Sequence, residues 1–463
     1  MFVGRQRELA ELERRYKTPQ FQMVILYGRR RVGKTRLIQE FCKGKSTVFT
    51  VGLQQSPQAA LAGFSRDLLS QLPSESSGFI DGFRSWQDAF HYITQQANGK
   101  RLVLVIDEYP YLAQAEPSIS SILQMVIDHE WKETDLYLIL CGSSMSFMEN
   151  QVLGYQSPLY GRRTAQMKIR PLRCWESAAF FPKWNWQERL YAYGVCGGIP
   201  QYLEYFAGYE DFASAVRGEL LALSGHLAQE PTNLMQQEMR EPAVYNSIIA
   251  AIAGGASRQS DIASAVGKDA RDITSYLRSL LDLEILVKLQ PIEVQKRNRA
   301  IYSLSDNLFR FWHHFIPACL PLMSMGMEEL AWQERIKPKM DEYFGPVFEG
   351  ICLEYVQRGV ERGDIRPIYL AYGKWWGNNP QKKREEEIDV VAVTQDDILI
   401  GECKWRNEKM GTAVFELLKE RGELIRRDRR MHYALFSKDG FSSALRALAK
   451  AEDILLVEAK YMG

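Results

Sequence analysis

Residues Gly28-Arg29-Arg30-Arg31-Val32-Gly33-Lys34-Thr35 hold two glycines, a lysine and a hydroxyl at the spacing G-x-x-x-x-G-K-[ST]. That spacing is suited to phosphate. Gly28 and Gly33 let the backbone curl until successive N–H groups converge on phosphate oxygens. The helix that follows adds the partial positive charge of its N-terminus. Lys34 can reach the β- and γ-phosphates, and the Thr35 hydroxyl can bind Mg²⁺. Arg29, Arg30 and Arg31 sit at the loop tip and read as solvated charges or as further phosphate contacts. Val32 and Arg36 complete the nucleotide-binding segment. A second pattern agrees with the first. Arg101-Leu102-Val103-Leu104-Val105-Ile106-Asp107-Glu108 is an apolar run closing on two acids. Asp107 would orient Mg²⁺, directly or through water, and Glu108 would polarise an attacking water. Two polar groups further on read as a γ-phosphate or water sensor, Ser143, and as an arginine finger or sensor, Arg162 or Arg163. Ser143 leaves a third apolar run, and Arg162, beside Arg163, follows a turn; an ordinary strand exit and a surface turn are the alternatives.

A separate constellation lies near the C-terminus. Glu385-Glu386-Glu387-Ile388-Asp389-Val390-Val391-Ala392-Val393 turns from polar to strand-like, and Ile398-Leu399-Ile400-Gly401-Glu402-Cys403-Lys404-Trp405 follows a polar turn. Residues two apart in a strand share a face, so Glu402 and Lys404 point together and Cys403 points away. If the two runs pair as a hairpin, the Asp389 and Glu402 carboxylates meet. Two carboxylates and a lysine suit metal-assisted phosphodiester cleavage. Asp389 and Glu402 would hold Mg²⁺, a hard ion that takes oxygen ligands. Lys404 would position or deprotonate the water. Glu349, in a helix-like run, would supply a third carboxylate, and the basic residues Lys419 to Arg430 would lie on a helix able to follow a phosphate backbone. The alternative is a solvated acid cluster with a surface ion pair.

These residues need elements to hold them. Residues 1–170 alternate apolar strand-like runs with helical stretches, which predicts a mostly parallel sheet. Residues 171–235 are helical and aromatic-rich, a lid-like segment in which Pro200 presets a helix start near the nucleotide. Residues 236–320 predict a winged helix: helices over 246–253, 260–266 with Ser260 as N-cap, and 272–281, then two strands around a basic hairpin. On it, Arg271, Thr274, Ser275 and Arg278 would face a DNA groove, and Arg297 in the hairpin would touch phosphate. The alternative use is protein contact. Residues 335–463 form the last domain.

Composition narrows the classes. The chain has 463 residues, enough for about three domains. A net charge of +1 gives no global field toward nucleic acid, so DNA binding must come from local patches. The seven cysteines form no C-x-x-C pair, which argues for a reducing cytoplasmic setting and against structural zinc. Neither a signal-peptide core nor an apolar run of membrane-spanning length is expected, so no membrane partner is.

Phe2-Val3-Gly4-Arg5, the Gly28–Thr35 loop, Val105-Ile106-Asp107-Glu108, Gly197-Gly198-Ile199-Pro200 and Tyr302 to Trp312 together resemble the archaeal-type P-loop ATPases of the STAND class, related to AAA+ proteins. The C-terminal part is similar to the restriction-endonuclease-like domain that many members carry. The resemblance implies an α/β multidomain fold: a P-loop NTPase parallel sheet with a helical lid, a winged helix, and a C-terminal α/β PD-(D/E)xK nuclease-like domain. It implies ATP/ADP and Mg²⁺ as ligands, Gly28, Gly33, Lys34, Thr35, Asp107 and Glu108 at the nucleotide, and Gly198 and Pro200 as the lid's nucleotide sensor. Glu349, Asp389, Glu402 and Lys404 match the nuclease motif, with Ile388 in place of the usual proline. The function expected is an ATP-binding and hydrolysing, DNA-associated protein whose nucleotide state controls a metal-dependent nuclease-like domain. The alternative is a nucleotide switch whose C-terminal domain only binds DNA or a partner, with assembly into a homo-oligomer on ATP binding.

Overall fold

The computed structural model describes residues 2–73, 81–97, 99–292 and 300–462. The chain divides into two compact units, Met1–Pro171 with Ile199–Gln201, and Leu172–Gly198 with Tyr202–Gly463.

The first unit is built on strands that the apolar runs dictate. They are β1 (Gln22–Tyr27), β2 (Thr47–Val51), β3 (Val103–Asp107), β4 (Tyr137–Gly142) and β5 (Ala165–Lys168). β1, β3 and β4 are buried along their whole lengths, as strands covered on both faces must be. All pair in parallel, in the order β2-β3-β4-β1-β5. Although β3 precedes β4 in sequence, β4 lies between β1 and β3. The exit of β4 therefore stands between the loop after β1 and the acids after β3. Helices Pro57–Gln71, Trp86–Ala97 and Ile119–His129 bury Phe64, Phe90, Leu123 and Ile127 in the core beside this sheet.

The second unit contains three helices, Pro242–Ala253, Gln259–Ala265 and Thr274–Asp282. They share a core with the antiparallel pair β6 (Leu286–Leu289) and β7 (Ile301–Leu304), through Ile248, Ile249, Ile262, Ile273, Leu277, Leu280, Leu286 and Leu304. The middle helix starts one residue before the expected cap. Arg258 occupies the cap position, and Ser260 instead bonds Asp261 within the first turn. The helix Glu230–Glu238 runs through the boundary expected at residue 235, and the turn Trp332–Ile336 through that expected at 335.

A second sheet follows the long helix Met340–Arg362. Its strands are β8 (Ala371–Asn379), β9 (Arg384–Val393), β10 (Asp397–Lys404), β11 (Arg430–Ser437) and β12 (Leu455–Glu458). The order is β12-β11-β10-β9-β8, antiparallel among β8, β9 and β10 and parallel from β10 to β12. Apolar alternation sets the register: Ile398 faces Val393 and Gly401 faces Val390. The helix Thr412–Glu423 packs Phe415 and Leu418 onto the core of this sheet. It ends before Arg426, so the basic run expected to continue along it does not; Arg430 already opens β11.

Candidate functional site

The phosphate loop leaves β1 beneath the exit of β5. At Gly28 a Cβ would stand 2.3 Å from the carbonyl oxygen of Ile169, whose own N–H donates to the Tyr27 carbonyl at 2.7 Å. No other residue fits that close approach. Gly33, at φ +88°, caps the helix Lys34–Cys42 in the left-handed region, and Arg31 also adopts positive φ. The loop is braced from outside: Arg5 donates to the Val32 carbonyl at 2.9 Å, and Arg30 donates to the Tyr111 hydroxyl at 2.6 Å. Arg29 and Val32 are buried, whereas Thr35 and Arg36 face solvent.

Lys34 is buried, and its ammonium donates to the carbonyls of Gly28 and Arg29 at 2.9 and 3.0 Å. Burial lowers its pKa, against the pull of the nearby Asp107 and Glu108. Thr35 Oγ1 donates to Asp107 Oδ2 at 2.6 Å, so the two oxygens expected to share a magnesium ion already stand together. This donor set fits a hard cation. Asp107 Oδ1 accepts the N–H of Glu108 at 2.9 Å. Glu108 is held at φ +49°, an uncommon conformation for a side-chain-bearing residue. Its carboxylate accepts both the N–H and the hydroxyl of Ser143, at 3.2 and 2.8 Å. Ser143 thus orients Glu108. The Cys141 thiol, pushed up by burial, adjoins Asp107; composition gave no signal for it.

Pro200 reaches the loop. A Cβ on Gly33 would stand 3.6 Å from Pro200 Cγ. Pro200 opens the helix Pro200–Phe206, and Ile199–Gln201 belongs to the nucleotide unit while the chain on either side does not. Gly198, at φ +73°, pairs with Leu172, where a Cβ would meet the Leu172 carbonyl at 1.9 Å. Arg162 is engaged with Asp128 of the helix Ile119–His129 and with the Pro158 carbonyl; the Arg162 hydrogen bond holds the Asp128 carboxyl down to about 2.

In the second sheet the pairing of β9 with β10 ends at Gly401–Val390, and Asp389 and Glu402 are the next residues on the two strands. Asp389 Oδ2 accepts the Cys403 N–H at 2.9 Å. Lys404 bonds Glu402 at 2.6 Å, so the two share a face as expected. Arg421 donates to both Glu402 (3.1 Å) and the buried Glu386 (2.9 Å), and Arg384 also binds Glu386 (2.7 Å). Glu349 pairs with Lys374 of β8. Asp389 is pushed up to about 7, first by burial and then by the facing Glu349 and Glu402 carboxylates. Those oxygens suit a hard cation in kind. Their geometry is not yet that of a ligand shell: among the described residues, no three His, Cys, Asp or Glu side chains are gathered to hold a metal ion. Sequence reasoning missed Lys374 and gave Glu386 no role, and Arg421, expected to follow a phosphate backbone, instead binds Glu386 and Glu402, because strand spacing says nothing about partners on other elements.

Arg271, Thr274, Ser275 and Arg278 are all exposed; Arg271 lies in the turn before the helix Thr274–Asp282, and the other three lie on its side away from the buried Leu277 and Leu280. Arg297 lies outside the described residues. No helix among the described residues is long and apolar enough to cross a membrane.

The nucleotide unit and its loop define a P-loop ATPase fold. Residues 2–206 match an ATPase domain predominantly from Archaea, and residues 312–414 match archaeal and bacterial proteins of unknown function. An uncharacterized protein of Methanocaldococcus jannaschii is 32% identical over 412 residues, covering 88% of each chain. An uncharacterized ATP-binding protein of the same organism is 53% identical over 45 residues, 10% of this chain and 76% of that one. The chain belongs to the archaeal ATPase family that these matches define. Its fold is similar to a Walker-type ATPase of Pyrococcus abyssi, with TM-score 0.52 and 19% identity over 67% of this chain and 96% of that one.

Proposed function

We propose that this protein binds and hydrolyses ATP, and that nucleotide state controls a DNA-acting C-terminal domain that cleaves phosphodiesters. Residues 1–170 form the AAA+-like core, 171–235 the lid, 236–320 a winged helix, and 335–463 a restriction-endonuclease-like domain. At the nucleotide, Lys34 and the loop N–H groups bind phosphate, and Thr35 and Asp107 would hold Mg²⁺, which would supply charge neutralisation at the phosphates. Glu108, oriented by Ser143, accepts a hydrogen bond from the attacking water and takes its proton. Pro200, against Gly33, carries the loop's state into the lid. The exposed Arg271, Thr274, Ser275 and Arg278 bind DNA.

The observation that carries the nuclease reading is that Asp389 binds the Cys403 N–H, between Glu402 and its partner Lys404, within reach of the charges of Glu349 and Glu402. Those three acids would hold a divalent ion, which supplies charge neutralisation at the phosphate. Lys404 positions the water. A second reading has its own observation. The acids are matched by Lys374, Lys404 and Arg421, which suits a nucleotide switch of STAND type whose last domain only binds DNA or a partner.

The test is cleavage of supercoiled, linear and branched DNA with Mg²⁺ or Mn²⁺, with and without ATP. Cutting that Glu402→Ala abolishes supports the nuclease, and its loss in Lys34→Ala ties it to nucleotide. Retained ATP binding without cutting of any substrate rejects the nuclease in favour of the switch.

A further inference from the structure

Lys374 occupies an unusual place in the second sheet. Gly373 pairs with Val391 and Trp375 with Ile388, so one residue of β8 faces two of β9, Asp389 and Val390. The extra residue makes a bulge at the acid itself, and bulges re-aim side chains. On its other side, the Lys374 carbonyl accepts the N–H of Ile292 at 2.9 Å. The backbone at this point is therefore fixed from both edges. From there the Lys374 ammonium pairs with Glu349 and feels the charge of Asp389.

With Asp389 ionised, the charges around Lys374 balance. Glu349, Asp389, Glu402 and Glu386 face Lys374, Lys404, Arg421 and Arg384. Glu402 has two cationic partners of its own, Lys404 and Arg421, so Lys374 is left to neutralise the Glu349–Asp389 side. A divalent ion entering that side would add two charges to a balanced cluster. A cation must then withdraw. Arg421 is forked between two buried acids, while the Lys374 side chain is 34% exposed and Glu349 23% exposed. Lys404 is as exposed but pairs with Glu402, so on the Glu349–Asp389 side the flexible, strongly hydrated ammonium that can leave for solvent is Lys374.

We propose that Lys374 is the resident cation of the acid cluster, a tethered ammonium that competes with a divalent metal ion for Glu349 and Asp389. The inference rests on reading those acids as metal ligands. It makes the site weak for metal while Lys374 is seated, so that loading requires the side chain to swing away from Glu349.

Mn²⁺ titration of the nucleotide-free full chain, followed by the electron paramagnetic resonance of free Mn²⁺, tests this without a cleavage assay. The proteins are wild type, Lys374→Met, Lys374→Arg, and the first two with Asp389→Asn added. Removing one unit charge a few ångströms away should tighten Asp389-dependent binding about tenfold or more in Lys374→Met. Lys374→Arg, which keeps the charge, should bind as the wild type does. A gain of binding cannot come from misfolding. Equal or weaker Asp389-dependent binding in Lys374→Met overturns the proposal and leaves the metal site standing. Absence of Asp389-dependent binding in both proteins overturns the proposal and the metal reading together.

Discussion

At the residue scale, the two sites hold their acids in opposite ways. Asp107 and Glu108 are given donors: Thr35 for one, and both groups of Ser143 for the other. Glu108→Gln should therefore leave ATP binding nearly intact while cutting kcat by about 10²-fold or more, as steady-state hydrolysis would measure. Ser143→Ala removes one of two donors to Glu108. It should lower kcat by about tenfold with little change in KM, since it disturbs a group that acts on the water rather than on bound phosphate. Asp389 is instead buried within reach of the Glu349 and Glu402 carboxylates and lies near 7, above its ordinary value of 3.8. The folded protein thus holds that proton more tightly than the unfolded chain. The stability it contributes is full below 3.8 and is lost as pH rises through about 7. Chelator-treated wild type should therefore lose stability relative to Asp389→Asn between about pH 4 and about pH 7, read by urea unfolding at each pH. A constant difference would mean that Asp389 keeps its ordinary affinity when folded.

At the element scale, the phosphate loop is set by backbone packing as much as by its lysine. Gly28→Ala would drive a methyl into the Ile169 carbonyl. It should cost roughly 2 kcal/mol or more and abolish nucleotide binding, by thermal unfolding and equilibrium titration. The three-helix segment behaves in the opposite way on its outer face. Arg278 is exposed while Leu277 beside it is fully packed. Arg278→Glu should change stability by no more than about 0.5 kcal/mol. If this face binds DNA, the same change weakens binding and lowers the slope of log affinity against log salt by about one. Leu277→Ala should cost about 2–5 kcal/mol, because a cavity replaces a filled core position. Equal DNA affinity for wild type and Arg278→Glu would move the contact off this helix.

At the scale of the whole molecule, ligand binding is read as stability. ATP at a hundred times its Kd should stabilise the nucleotide unit by about 2.7 kcal/mol, and Lys34→Ala should abolish the shift in calorimetry. If the proposed DNA binding holds, the near-zero net charge leaves it to the local basic face, so it should fall steeply with salt while the ATP-induced shift stays nearly constant. The sequence by itself determined the parts whose chemistry is local. The Gly28–Thr35 loop, the acids closing β3, the hairpin of β9 and β10, and the buried face of Ile273, Leu277 and Leu280 all follow from spacing, because helix and strand periods act over a few residues. Tertiary structure alone decided which groups meet across elements. It inserted β4 between β1 and β3, which put Ser143 on Glu108. It sent Arg421 and Lys374 to the acids of the second sheet and Arg162 to Asp128. Strand order and bulges are fixed by the packing of whole layers, and no window of sequence records where a long cationic side chain finds its partner.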